Sequence, residues 1–377
     1  MAKKVLYLTL LMMLVLLLTA CGVWVNWWNQ PLGEVLTFPT PTIEPTITTV
    51  SVHSTEKTPT TVATPDPTPV SSPEPTESPE PVEDKPKPMY VLVAGIASTG
   101  SNYRYGLADA IRIVRIDFET PRVTVLTLPR DLWVELPGIK KEYKTLTHGK
   151  LNTAYSYGTP AMNRYQGEGG GPGLLAHTIA HNYGLAVDHY VIIDMDVFIE
   201  IVDALGGIDI YLHRTWDGRV DTSNDDYLEW VFEEGQHHMK GEEALRFARI
   251  RLNDTEIMRT DNQTAVLCAI KNKALQPQVL TALPDLVNAF HGKIQTDLSP
   301  AQIGQMVTLL PKLSHENLLF IRFPNNMMVP GRVFDPSLNN TTFIWDIPIE
   351  DIRDFIQDFQ NDAITTDIGG GGGRLCP

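Results

Sequence analysis

The stretch RFARIRLNDTEIMRTDNQ, Arg246 to Gln263, gathers Arg246, Arg249, Arg251 and Arg259 in a chain of formal net charge −15. No lysine interrupts the run, whereas a solvated helix face ordinarily interleaves Lys with Glu. Arg249 and Arg251 alternate as on an extended strand and so project to one side. Arg259 and Gln263 stand four apart on one face of a helix, for which Asn253-Asp254-Thr255 offers N-cap chemistry. Guanidinium forks beside a helix N-terminus suit a phosphate or pyrophosphate, because both present N–H groups to anionic oxygen. The competing reading is a cluster that faces water.

A second constellation comes from LADAIRIVRIDFETPRVTVLTLPRD. Ile111 to Ile116 and Val123 to Leu128 are rich in β-branched residues and flank the turn DFETP. Pairing them antiparallel about that turn sets Ile111 opposite Leu128 and carries Asp109 to Arg130. Opposed residues hold their Cβ atoms within about 5 Å, so a carboxylate and a guanidinium meet at one end of a sheet. Alone, the pair is a structural salt bridge as readily as a site. HGKLNTAYSYG follows, with Lys150, Asn152, Tyr155 and Tyr157 in a glycine-bounded loop.

Other patterns carry less. His177 and His181 in HTIAH have the i, i+4 spacing of a zinc site, but Thr178 stands where a peptidase needs glutamate. No G-x-S-x-G elbow supports a serine hydrolase. Asp194 and Asp196 alternate at a strand end and read as a solvated rim. Net charge −15 disfavours nucleic acid as a partner.

Positioning these groups falls to residues 89–367. MYVLVAGI, AIRIVRI, RVTVLTL, HYVIIDM and GIDIYL read as strands, and GPGLLAHTIAHNYG, DVFIEIVDALG, GEEALRFAR, TEIMRTDNQTAVLCAIKNKAL and SPAQIGQMVTLLPKL as helices. Strands buried between helices imply a layered α/β domain. FIRFPNNMMVPGRVFDPSLNNTTFIW reads as strand and loop.

The N-terminus is an anchor. Lys3 and Lys4 precede an uncharged run from Val5 to Trp28, whose apolar core ends at Leu18. That core is short for a span of ~20 residues. Leu18-Thr19-Ala20-Cys21 resembles a lipoprotein signal site, with Cys21 the acylated residue. The alternative is an uncleaved span ending in a Trp24, Trp27, Trp28 belt. Either way, residues 1–28 place the remainder at the outer face of a cytoplasmic membrane. Residues 29–88 are rich in Pro, Thr, Ser and Glu and show no apolar periodicity, so they read as a disordered linker reaching up to roughly 180 Å. Residues 368–377 read as a flexible glycine-rich tail. Cys268 and Cys376 read as a buried thiol and a tail thiol, with a disulfide between them the alternative in an oxidising compartment.

The order GIAS, LADAIRIVRID, VTVLTLPRDLWVELPG, KLNTAYSYG, DALGGIDIYL and ALRFARIRLNDTEIMRTDNQ resembles the LytR-CpsA-Psr family over about Tyr90 to Ala274. The resemblance implies a three-layer α-β-α sandwich with a central mixed sheet and an apolar pocket for a polyprenyl chain. It implies an enzyme that moves a glycopolymer from a polyprenyl-pyrophosphate donor to peptidoglycan or another envelope acceptor through a phosphodiester. Arg130 matches the family's catalytic arginine, with Asp109 beside it. Arg249, Arg251, Arg259 and Gln263 match its pyrophosphate contacts, and Asp131, Lys150, Asn152 and Tyr155 are the supporting set. Asp109 also matches one of two aspartates that hold Mg²⁺; the other falls at Ala97. The family's arginine two residues before Asp109 is Leu107 here, and its threonine after it is Ala110. A non-catalytic binding module and a prenyl-pyrophosphate hydrolase remain the alternatives.

Overall fold

The computed structural model describes residues 28–36, 87–100, 102–219, 230–251, 256–314 and 316–366. Six strands form one mixed sheet: β1 (Met89–Ile96), β2 (Ala108–Asp117), β3 (Arg122–Leu128), β4 (His189–Ile193), β5 (Gln295–Thr296) and β6 (Leu318–Arg322). Their spatial order is β5-β4-β1-β2-β3-β6. β1, β2 and β3 run antiparallel in succession; β4 joins β1 and β6 joins β3 in parallel. Among the described residues the α-helices are α1 (Leu151–Gly158), α2 (Gly170–Tyr183), α3 (Met195–Ala204), α4 (Gly241–Ala248), α5 (Glu256–Ala274), α6 (Pro277–Ala289), α7 (Pro300–Leu309) and α8 (Ile349–Gln360).

The alternation of β2 and β3 explains the layering. Ile111, Ile113, Leu126 and Leu128 point into a core shared with α1, α2 and α8. Ile116, Val123 and Val125 point the other way, against Cys268 on α5 and Leu309 of α7. Each sheet face is therefore covered by helices, which gives the expected α-β-α sandwich. The hairpin register is the expected one, with Ile111 opposite Leu128 and Asp117 opposite Arg122. Asp117 holds the turn by accepting from the backbone N–H groups of Glu119 and Thr120, each at 3.0 Å, and from the Thr120 hydroxyl at 2.7 Å.

Helix ends follow local chemistry. Ser299 and Gln302 form a capping box at α7, with Pro300 in the first turn. α2 stops at Gly184, whose φ of 69° suits the left-handed closing position.

Several expectations need correction. Ile208–Leu212 is a strand, as read, but it lies in a separate two-stranded sheet with Gly235–Met239 and not in the central one. Its residues are alternately buried and exposed, so only one face is buried, as suits a ribbon. KLNTAYSYG is helix α1 after a short strand, not a loop. Arg249 closes α4 rather than lying on a strand. Asp194 caps α3 by accepting from Val197 N at 2.9 Å and is buried, so it is no solvated rim. Residues 330–345 form a hairpin, Pro330–Asp335 with Asn340–Trp345. Cys268 is disulfide-bonded rather than a free thiol; Cys21 and Cys376, its two candidate partners, lie outside the described residues.

Residues 29–36, which composition assigns to the linker, pack on the domain. Leu32 N donates to Leu298 O at 3.1 Å, and Glu34 O accepts from the Tyr190 hydroxyl at 3.0 Å. Leu36 is 6% exposed within the main core. It lies so close to Gly169 that a Cβ there would sit 1.9 Å from Leu36 Cδ2. No described helix is long and apolar enough to cross a membrane, and residues 1–27 lie outside the described residues. Leu36→Ala is expected to lower unfolding stability by about 2–3 kcal/mol, the cost of a core cavity. An unchanged denaturant midpoint would show that the segment does not dock.

Candidate functional site

The ends of β1 and β2, the loop after β3, and helices α3, α4 and α5 enclose one cavity of about 250 Å³ that opens to solvent. Its walls divide by chemistry. Val93, Ile193, Phe198, Leu245, Val266 and Leu267 make an apolar slot; Arg130, Arg249, Arg251, Arg259, Gln263 and Asp109 also line it. Small side chains at Gly95, Ala97, Ala110 and Ala248 leave the space open. Every expected pyrophosphate contact therefore shares a single cavity with the expected catalytic arginine.

Arg130 follows β3 directly, so the hairpin carries it to Asp109, where Nη1 donates to Oδ1 at 2.6 Å. Its Nε lies 3.2 Å from Asp131 Oδ2 and 3.3 Å from Glu256 Oε1. Burial alone would push this guanidinium down, but Glu256, Asp109 and Asp131 outweigh it and hold Arg130 above its ordinary value. The start of α1 completes the frame: Asn152 N bonds Arg130 O at 3.1 Å, and Asn152 Nδ2 donates to Asp109 Oδ1 at 3.2 Å. Lys150 Nζ donates to Asp131 Oδ1 at 2.7 Å. Of the supporting set, Asp131 and Asn152 thus contact the arginine, and Lys150 reaches it through Asp131. Tyr155 does not: it is fully buried in the core, with its hydroxyl on Gln295 at 3.3 Å, because the helical turn of α1 points it away from the residues it follows.

Arg259 is buried on α5 and donates from Nη2 to Asp109 O at 3.0 Å, tying the helix to the end of β2. Gln263 Nε2 reaches Ala248 O at 3.5 Å. Arg251 remains half-exposed at the mouth. The expected cap at Asn253-Asp254-Thr255 and the lipid-anchor residue Cys21 lie outside the described residues.

Sequence reasoning overlooked Glu256. Its side chain, 13% exposed, pairs with Arg259, with Arg130 at 3.3 Å and with Arg251 at 3.4 Å. It therefore binds the cluster as an internal anion. The legible signal was an acid in the first turn of a helix, three residues before Arg259.

The charge balance limits what the cavity accepts. Five arginines and two aspartates line it; with Glu256 counted, two positive charges stay unmatched. A pyrophosphate diester carries two negative charges. An anion of that kind, with an apolar tail, fits both walls.

A family model described as the LytR_cpsA_psr family matches residues 49–353. The chain belongs to the LytR_cpsA_psr family. It is 27% identical over 216 residues to the polyisoprenyl-teichoic acid–peptidoglycan teichoic acid transferase TagV of Bacillus subtilis, which is 57% of this chain and 51% of that relative. The chain spans about half the length of the curated relatives it matches. The crystal structure of B. subtilis TagV has the same fold, with a TM-score of 0.54 and 21% identity over 73% of this chain and 98% of that one. So does protein gbs0355 from Streptococcus agalactiae, with a TM-score of 0.57 and 21% identity over 76% of this chain and 91% of that one.

In this LytR_cpsA_psr chain two carboxylates line the cavity, Asp109 and Asp194, and Asp194 is buried with Oδ1 accepting from Val197 N at the start of α3. Ala97 offers no side-chain oxygen, and Asp109 Oδ1 already accepts from Arg130 and Asn152. Asp131 and Glu256 are held by Lys150 and the arginines. No group of three or more His, Cys, Asp or Glu suited to a metal occurs among the described residues. Charge in this cavity is matched by guanidinium groups. Glu256→Gln is therefore expected to tighten inorganic pyrophosphate binding roughly tenfold, by removing a competing anion, while lowering stability by about 1–3 kcal/mol. Calorimetric titration and a denaturant curve measure both; weaker pyrophosphate binding would contradict the account.

Proposed function

We propose that this protein transfers a glycopolymer from a polyprenyl-pyrophosphate carrier to peptidoglycan or another cell-envelope acceptor, forming a phosphodiester. The observation that carries this reading is the single cavity whose walls are apolar along one side and lined with arginine along the other. A prenyl pyrophosphate has that same division of character. The name of the Bacillus subtilis relative, a teichoic acid transferase acting on peptidoglycan, supports the same reaction class.

In this scheme the pyrophosphate lies among Arg130, Arg249, Arg251 and Arg259, and the prenyl chain lies along Val93, Phe198, Leu245 and Leu267. An acceptor hydroxyl attacks the phosphorus nearest the glycan. The new O–P bond forms, the bridging P–O bond breaks, polyprenyl phosphate leaves, and the hydroxyl proton passes to solvent. Chemistry of this kind depends on positioning and on stabilising charge that develops in the transition state. Arg130 is held by three carboxylates in a fixed direction, so it meets the developing charge without reorganising. Asp109 and Asp131 orient it. No step passes through a metal ion.

The protein acts at the outer face of the cytoplasmic membrane, rooted by its N-terminal apolar segment, with Cys21 as lipid anchor or as part of an uncleaved span. A pure binding module is the second reading, which the alanine at position 97 favours. Incubating the protein with a prenyl-pyrophosphate glycan and an acceptor separates the readings: transfer product supports the transferase, free glycan phosphate a hydrolase, and no turnover a binder. Arg130→Lys keeps the charge but loses the fork; transfer is expected to fall by roughly 100-fold and prenyl-pyrophosphate binding by less than about tenfold. Equal transfer by variant and parent would remove Arg130 from the chemistry.

A further inference from the structure

Four arginines are buried among the described residues: Arg112, Arg115, Arg259 and Arg322. Three have a carboxylate. Arg115 pairs with Asp362 at 3.4 Å, Arg259 with Glu256, and Arg322 with Asp261 at 3.0 Å. Arg112 has none. At 4% exposure its guanidinium meets only neutral oxygens, with Nη1 on Thr127 Oγ1 at 2.6 Å and Nη2 on Thr264 Oγ1 at 3.2 Å.

Burying a cation without an anion is unfavourable, and folds ordinarily avoid it. The nearest charges do not cure the deficit. Arg259 repels Arg112, and Asp261, which attracts it, is already committed to Arg322. Burial and Arg259 together lower the Arg112 guanidinium to about 10, so it remains a cation at neutral pH. Its place decides what the missing anion is. Arg112 lies on β2, three residues from Asp109, and lines the same cavity as Arg130, Arg249, Arg251 and Arg259. The cavity's ligand is the anion it lacks.

We propose that Arg112 is a built-in replacement for a divalent cation: its buried charge matches the bound pyrophosphate, so that this chain holds a prenyl pyrophosphate without metal. The proposal rests on the reading of the site given above. It also accounts for Ala97, since a further carboxylate in a cavity already lined by Asp109 and Asp194 would cancel the charge that Arg112 supplies. Thr127 and Thr264 fix the guanidinium plane while leaving its charge unspent. Arg112 is a binding residue in this account, and Arg130 keeps the transition-state role.

The test measures binding of geranylgeranyl pyrophosphate to the full chain in detergent, in excess EDTA and in millimolar magnesium, for the parent, Arg112→Met and Arg112→Lys. The parent is expected to bind with affinities within about twofold in the two buffers, because permanent charges do the neutralising. Arg112→Met should loosen binding by roughly 10- to 100-fold, with a melting temperature equal to or above the parent's, since it removes a buried cation that has no anion in the free protein. Arg112→Lys should retain an intermediate affinity. A structural arginine would give the opposite pattern, a lower melting temperature with no selective loss of affinity, and that result overturns the proposal. So does parent binding that drops more than about tenfold in EDTA, which leaves the transferase reading standing. Binding in neither buffer would instead remove the reading of the site itself.

Discussion

Like charges do not gather unaided, and the structure depends on the means that gather them here. Arg130, Arg251 and Arg259 share the Glu256 carboxylate, while Asp109 binds Arg130 through its side chain and Arg259 through its backbone carbonyl. These contacts join a loop after β3, the end of β2 and the first turn of α5, elements far apart in sequence. A rigid sheet edge supplies the fixed points, and the carboxylates reduce the repulsion without cancelling it. The residual positive charge is what an anionic ligand meets.

The apolar slot follows from the same construction. On the face of the sheet turned toward α5, Val93, Gly95 and Ala110 are short or lightly packed, and Phe198, Leu245, Val266 and Leu267 close the opposite wall. A core position that is not filled by side chains leaves room for an apolar guest. Placing this opening beside guanidinium groups joins two solvents, one oily and one ionic, at a single point. A lipid-linked phosphate needs that junction.

Much of this was legible in the sequence, for local reasons. The β2–β3 register follows from one turn and two β-branched runs, so Asp109 and Arg130 could be paired without a structure. The i, i+4 spacing placed Arg259 and Gln263 on one helix face. Family resemblance supplied the convergence of Arg130 with Arg249, Arg251 and Arg259, which spacing alone could not. What stayed hidden depends on long-range contacts. Glu256 looked like one more acid in an acidic chain until three arginines were seen around it. Tyr155 belonged to the expected set by its motif, yet helix α1 turns it into the core. That Arg112 lacks a carboxylate is a property of its neighbours, which no spacing in the sequence reveals. Leu36 sat in a segment whose proline content masked a docking site.

The most direct measurement of the central claim is a crystal structure of the protein soaked with geranylgeranyl pyrophosphate. The account predicts diphosphate density among Arg130, Arg249, Arg251 and Arg259, Glu256 displaced from at least one of them, and the prenyl chain running between Val93 and Leu267. Diphosphate bound elsewhere, with Glu256 still seated among its arginines and the slot empty, would contradict it.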